Sequence, residues 1–282
     1  MANEVAKVEK KEGIAAFLAK EAVKANVESV VGVKDSQRFI SSIVSAVQTN
    51  PALAECTNSS ILSASLLGHS LNLPQSPQLG MFYLVPFKNK RKVLGEDGKV
   101  RTVEVKEATF QISYRGMIQL AMRTGIYEKL HVTDVRAGEL VSYDPIMDEY
   151  KFKPELDIKK RTELPIVGYY SFFKYLNGSR KDIYWSNEQI DAHAKKYSAS
   201  YRNGWDSLWK TDFDAMAKKT MLRVLLNKWG TMSVEMERAY VGDQAVIRED
   251  GTPDYIDNIP DEPEKAVDIL DAEVKEITDE VD

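Results

Sequence analysis

The segment 205–230, WDSLWKTDFDAMAKKTMLRVLLNKWG, constrains this chain most. It holds three of the four tryptophans and a compact set of cations, Lys210, Lys218, Lys219, Arg223 and Lys228. Thr211 followed by Asp214 predicts a helix start, and Gly230 sits where a C-terminal cap belongs. On a 3.6-residue period Phe213, Ala217, Thr220, Met221 and Val224 share one face, while Lys218, Lys219 and Arg223 fall on another. One face then packs on a core and the other presents cations. On an isolated helix such a basic face is more often plain solvated surface, so the surroundings decide.

Charge is divided unevenly along the chain. The formal net charge is −5. From Asp243 to Asp282, however, fifteen carboxylates face three cations, and the preceding 242 residues carry 35 cations against 28 carboxylates. A basic body with an acidic tail suits a protein that handles nucleic acid; solubility alone would also explain the tail. The hydrophobic content of 43% supports a core, and no run approaches the ~18 apolar residues of a membrane span. The first residues, MANEVAKVEKKEG, lack the apolar stretch of a secretory signal. The single cysteine, Cys56, excludes an internal disulfide framework and fits a reducing cytoplasm.

Three regions follow: an arm over 1–33, disordered at first and then helical; a core over 34–242; and the acidic tail over 243–282, expected to be disordered. Helical patterns run to about Val31, through Phe39, Ile40, Ile43, Val44 and Val47 to the stop at Asn50-Pro51, and from Ser60 to Leu71. Their apolar residues serve either the core or a neighbouring subunit. After Gly80, MFYLVPF reads as a strand ending near Pro86, then the basic run KNKRK, then a hairpin around Asp97-Gly98. ATFQI is a strand that passes at Ser113 into the helix YRGMIQLAMRT, capped by Gly125. KLHVTDV and GELVSY are strand-like, and the polar, charged residues 145–164 read as a loop or a lobe insertion. Asn177-Gly178 is the strongest hairpin signal. Ser186 with Gln189 forms a capping box for a helix that carries His193, Lys195 and Lys196.

No phosphate-loop or dinucleotide glycine motif occurs, and His69, His131 and His193 have no zinc-site spacing. Pro260-Asp261 with Glu273-Val274-Lys275 formally matches a metal-nuclease pattern, and Glu104-Val105-Lys106 is a second E-x-K. The first lies in the acidic tail and the second has no partner acid on an evident neighbouring strand. Neither offers the rigid scaffold a metal site needs.

Three blocks, GMFYLVPFKNK, FQISYRGMIQLAMRTG and WKTDFDAMAKKTMLRVLLNKWG, resemble in sequence and order the RecT family of phage-type single-strand annealing recombinases, over about residues 35–242. The resemblance implies an α+β fold, a twisted antiparallel sheet with packed helices. It also implies a protein that binds single-stranded DNA, anneals it without ATP and promotes strand exchange or invasion. Rings or helical filaments, with DNA in a basic groove, and a partner exonuclease belong to the same expectation; catalytic residues, cofactors and metals do not.

The residues support that reading independently. Annealing makes no bonds; it needs phosphate neutralisation and bases left open for pairing. In the basic run, Lys88, Lys90 and Arg91 are DNA candidates, or only a solubilising loop. Gln111, Tyr114, Arg115 and Arg123 follow, with Arg123 placed either for DNA or for its helix dipole. Lys195, Lys196 and Lys210 lead to Lys218, Lys219 and Arg223, where one of the adjacent lysines is free to face a carboxylate. Trp205 and Trp209 are either base-stacking or core residues. A passive single-strand coat and a nuclease are the competing classes. In the tail, Val267, Leu270, Val274, Ile277 and Val281 have a/d spacing. They mark either a docking helix for an exonuclease or host single-strand-binding protein, or a merely repulsive tail.

Overall fold

The computed structural model describes residues 12–255 apart from 77, 95–99, 206 and 249–250. The docking-helix spacing of the tail and the match at Pro260-Asp261 lie outside the described residues. The fold is α+β, as expected, and among the described residues the antiparallel strands form the sheets β1-β2-β8-β9 and β3-β6-β7 and the pair β4-β5. The helices are α1 Ile14–Leu18, α2 Glu21–Val31, α3 Val33–Thr49, α4 Asn58–Ser70, α5 Tyr114–Arg123, α6 Ile158–Glu163, α7 Asn187–Tyr197, α8 Ala199–Arg202, α9 Leu208–Thr211, α10 Phe213–Trp229 and α11 Val234–Gly242. The strands are β1 Phe82–Leu94, β2 Val100–Ile112, β3 Tyr127–Arg136, β4 Leu140–Asp144, β5 Glu149–Phe152, β6 Ile166–Tyr175, β7 Arg180–Ser186, β8 Ala245–Ile247 and β9 Pro253–Tyr255.

Helix α10 is the central post, packed against β3, β6, β7 and α5. It starts one residue later than Thr211 suggests. Thr211 closes α9, and the Asp212 carboxylate caps α10 by accepting from the Ala215 N–H at 3.2 Å. Its burial is wider than one stripe, because Leu222, Leu225 and Leu226 are enclosed along with Ala217, Thr220 and Met221. Gly230 ends the helix in extended backbone. The glycine is needed there for close approach, since a Cβ would crowd the Leu226 backbone and the Tyr127 hydroxyl.

Strand β1 does not stop at Pro86. It pairs with β2 from Phe82↔Ile112 to Leu94↔Val100, with Pro86 opposite Ala108. β1 is the sheet edge, where a proline is tolerated. The basic run is therefore strand, held by cross-strand pairs: Lys88 with Glu104 at 3.3 Å, and Arg91 and Asn89 both on Glu107 at 2.7 and 3.0 Å. At the inner end Phe82, Leu84, Phe110 and Ile112 are buried. Beside them Ser113 caps α5 by accepting from the Arg115 and Gly116 N–H groups. A Cβ on Gly116 would overlap the Met81 carbonyl and press on the Ile112 side chain. Gly116→Ala is expected to destabilise the protein by about 1–3 kcal/mol, seen as a lower urea midpoint. An unchanged midpoint would mean that α5 has room to slide.

Of the two readings of residues 145–164, the insertion with structure of its own holds and the plain loop does not. These residues contain β5 and α6, whose polar sequences hide what holds them. Tyr143 and Tyr150 stack across the hairpin at 4.5 Å, Phe152 sits on Tyr170 at 4.6 Å, and Asp157 caps α6 through the Lys159 N–H at 3.0 Å. The β6–β7 hairpin turns at Asn177-Gly178, with Gly178 at φ 88°. Ser186 and Gln189 form the capping box of α7. Before Gly80, Leu18, Val27, Phe39, Ile43 and Val47 are all buried, leaving Val30 and Val33 on the helices and Leu79 beyond them exposed. The apolar residues of these helices thus serve mainly this chain's own core.

The boundary placed after Gly242 falls inside the fold. Asp243 is buried, β8 pairs with β2, and β9 pairs with β8. Arg91 and Arg248 both reach Asp254, tying this segment back to the ribbon.

Candidate nucleic-acid interface

The expected cationic face of α10 is split by one carboxylate. The Asp243 side chain is 0% exposed. It accepts from Lys219 Nζ at 2.8 Å, from Arg223 Nη1 at 2.6 Å and from the Ile112 N–H at 3.0 Å. Lys219 therefore points inward, and burial pulls its ammonium below the ordinary lysine range against the opposing pull of Asp243. It does not join a solvated face with Lys218 and Arg223. Lys218 in turn pairs with Asp214 at 2.6 Å, so both adjacent lysines face carboxylates. One carboxylate balances only one of the two cations at Asp243, and Arg223 is the outer one. Its guanidinium also lies over the Tyr240 ring, 5.5 Å from the centroid.

Helix α7 feels the charge of this cluster through His193. His193 feels both Arg223 and Lys196, and burial first, then those two charges, holds its pKa below the ordinary histidine value. The His193 ring lies between Trp185 at 5.4 Å and Tyr197 at 4.6 Å. Lys195 pairs with Asp191 at 2.6 Å. Lys196 has no carboxylate partner among the described residues, and its Nζ stands 5.2 Å from the Tyr197 centroid. Arg223 and Lys196, far apart in sequence, thus both act electrostatically on His193, which has rings on either side. Lys210 hydrogen-bonds the Gly204 carbonyl. Trp209 is a core residue, 7% exposed, whereas Trp205 is 62% exposed.

The other candidates divide by what already holds them. Arg123 donates to the carbonyls of Leu71 at 2.8 Å and Asn72 at 2.7 Å, complementing the C-terminal end of α4 and not of its own helix. Gln111 is buried in β2. Tyr114 is half-buried, and Arg115 is exposed, hydrogen-bonded to the Tyr114 hydroxyl at 3.4 Å. Lys90 is exposed on the ribbon. Lys90 and Arg115, like Lys196, have no carboxylate partner among the described residues. Glu104 faces Lys88, and Lys106 bonds Glu55. No group of three His, Cys, Asp or Glu that could hold a metal is present among the described residues.

Three features escaped the sequence reading. Asp243 carried no local signal, because its partners lie 20 and 24 positions away. Tyr197 is not among the candidates drawn from the sequence, although its place directly after Lys195-Lys196 is a usable hint. Trp229 is flanked by Lys228 and Lys181, 4.9 and 4.6 Å from its centroid; the first is a sequence neighbour and the second is not.

Exposed cations on both β-ribbon and helices, interleaved with open rings, suit a protein that grips a polyanion by charge and by stacking. Residues 37–258 match the RecT family, and the chain belongs to that family. It is 36% identical over 230 residues to "Uncharacterized protein YqaK" of Bacillus subtilis (strain 168), covering 82% of this chain and 69% of that protein. It is 30% identical over 215 residues to "Protein RecT" of Escherichia coli (strain K12), covering 74% and 71% respectively. Among the described residues no helix is long and apolar enough to cross a membrane.

Proposed function

We propose that this protein binds single-stranded DNA and anneals it to its complement without ATP, as a homo-oligomer acting in homologous recombination. Membership of the RecT family carries the reading. The exposed cations Lys90, Arg115 and Lys196, with the outer cation Arg223, support it as phosphate contacts. Such contacts release counterions and let two polyanions approach. Grip on the backbone leaves the pairing edges of the bases free. The paired residues Lys88, Lys195 and Lys218 are secondary contacts, available where a phosphate displaces the carboxylate. Lys219 serves the fold.

The test is a mixing experiment with two complementary oligonucleotides and no nucleotide cofactor. Faster duplex formation than in buffer is the expected result. Slower formation would indicate a passive coat, shortened strands would indicate a nuclease, and dependence on ATP would overturn the mechanism. Light scattering with and without DNA reads the oligomer; full activity by a monomer would remove that part of the proposal.

A further inference from the structure

The row of rings at the end of α7 has an open end. Trp185 and His193 are only partly exposed, but Tyr197 is 57% exposed. Its hydroxyl has no hydrogen-bond partner among the described residues. A large ring left outward at a helix terminus, with its polar tip unengaged, does little for the core. Its neighbours are cations. Lys196 lies over one face of the ring, its Nζ 5.2 Å from the centroid, and the Arg202 guanidinium donates to the Lys195 carbonyl at 3.3 Å, fixing a second positive group at the helix end. Neither cation has a carboxylate partner among the described residues, while the nearby Asp191 is occupied by Lys195 at 2.6 Å and by the Tyr201 hydroxyl at 2.8 Å. The surroundings thus suit a ligand with a flat π face and negative charge beside it.

We propose that Tyr197 is a stacking site for one nucleobase of the bound single strand, with Lys196 and Arg202 meeting the flanking phosphates. The proposal rests on the single-strand reading above and adds to it the place where a base, and not only the backbone, is held. Stacking uses the face of a base and leaves its pairing edge open, so a base on Tyr197 remains able to test a complementary strand. Once paired, that base stacks inside a duplex and no longer has a free face. The site therefore favours single strands over duplex and loosens as annealing proceeds.

The experiment compares the full chain on three probes of equal length: a mixed-sequence oligonucleotide, the same backbone with abasic tetrahydrofuran units, and a blunt duplex. Tyr197→Leu is expected to weaken mixed-sequence binding roughly 5- to 100-fold. Abasic and duplex affinities and the salt slope should stay unchanged, and Tyr197→Phe should restore wild-type binding. Equal loss on mixed-sequence and abasic probes, or no loss at all, would overturn the proposal. The unaltered protein gives a second arm that needs no variant: it should prefer the mixed-sequence probe over the abasic one at equal salt slope, and equal affinity would also overturn the stacking site. Tight binding to both single-stranded probes without that preference leaves the annealing function standing. Absence of any single-strand binding defeats the function and the stacking site together.

Discussion

Asp243→Ala is expected to lower stability by about 3–5 kcal/mol, because it strands the buried Lys219 ammonium without a counter-charge. In a chain of this size that corresponds to a fall in melting temperature of roughly 5–10 °C. The Ile112 N–H and the Arg223 guanidinium lose the same acceptor. A second substitution separates charge from shape. Lys219→Met in the Asp243→Ala background removes the stranded cation and should recover part of the loss, since deleting both partners of a buried pair costs less than deleting one. Chain length gives a parallel test. A protein ending after Gly242 should fail to fold, whereas one ending after Tyr255 keeps Asp243, β8 and β9 and should fold. Wild-type stability in Asp243→Ala, by urea midpoint and thermal melt, would mean that Lys219 finds another partner or is neutral in the folded chain.

The second large effect concerns binding. Lys90, Arg115 and Lys196 lie on three different elements, are exposed, and lack carboxylate partners among the described residues. Each phosphate contact on a single strand contributes a salt slope of about 0.7, so losing three should lower the slope by about 2 and weaken binding on the order of 100-fold near 0.1 M salt. The triple Ala variant, titrated with a labelled oligonucleotide at several salt concentrations, measures both quantities. Ala at Lys88 and Lys195 serves as the comparison. Those cations are already matched by Glu104 and Asp191, and exposed pairs of this kind contribute little to folding. A folded triple variant with the wild-type slope would move the DNA path elsewhere on the surface.

Much of the fold was legible because its signals are local. The Asn177-Gly178 turn, the Ser186/Gln189 capping box and the helix after Ser113 each depend on residues within four positions of one another, and the structure has each of them. Where partners are distant the sequence reading failed. The basic run after Pro86 looked like a loop because its cations suggest solvent, yet Glu104 and Glu107 on β2 hold it in the sheet. Residues 145–164 looked irregular because the rings that order them, Tyr143 and Tyr170, belong to other strands. The candidate site was legible as a composition of cations and not as a partition. Lys218, Lys219 and Arg223 read as one face until Asp243, from a segment assigned to the tail, took the inner charge. Trp205 and Trp209 likewise differ only in what surrounds them.

The buried pairing of Lys219 also sets an order of events during synthesis. A nascent chain that ends at Trp229 already contains the whole of α10, but not its counter-charge. Until Asp243 arrives, Lys219 is more stable in water than in the core, and α10 has reason to stay loosely docked against β3 and β6. Closure waits for a residue 24 positions downstream of the lysine, and the last two strands follow it. Docking of α10 is therefore expected to wait until Asp243 has been made, and a chain cut short of it should present a loosely held basic helix in place of a finished surface.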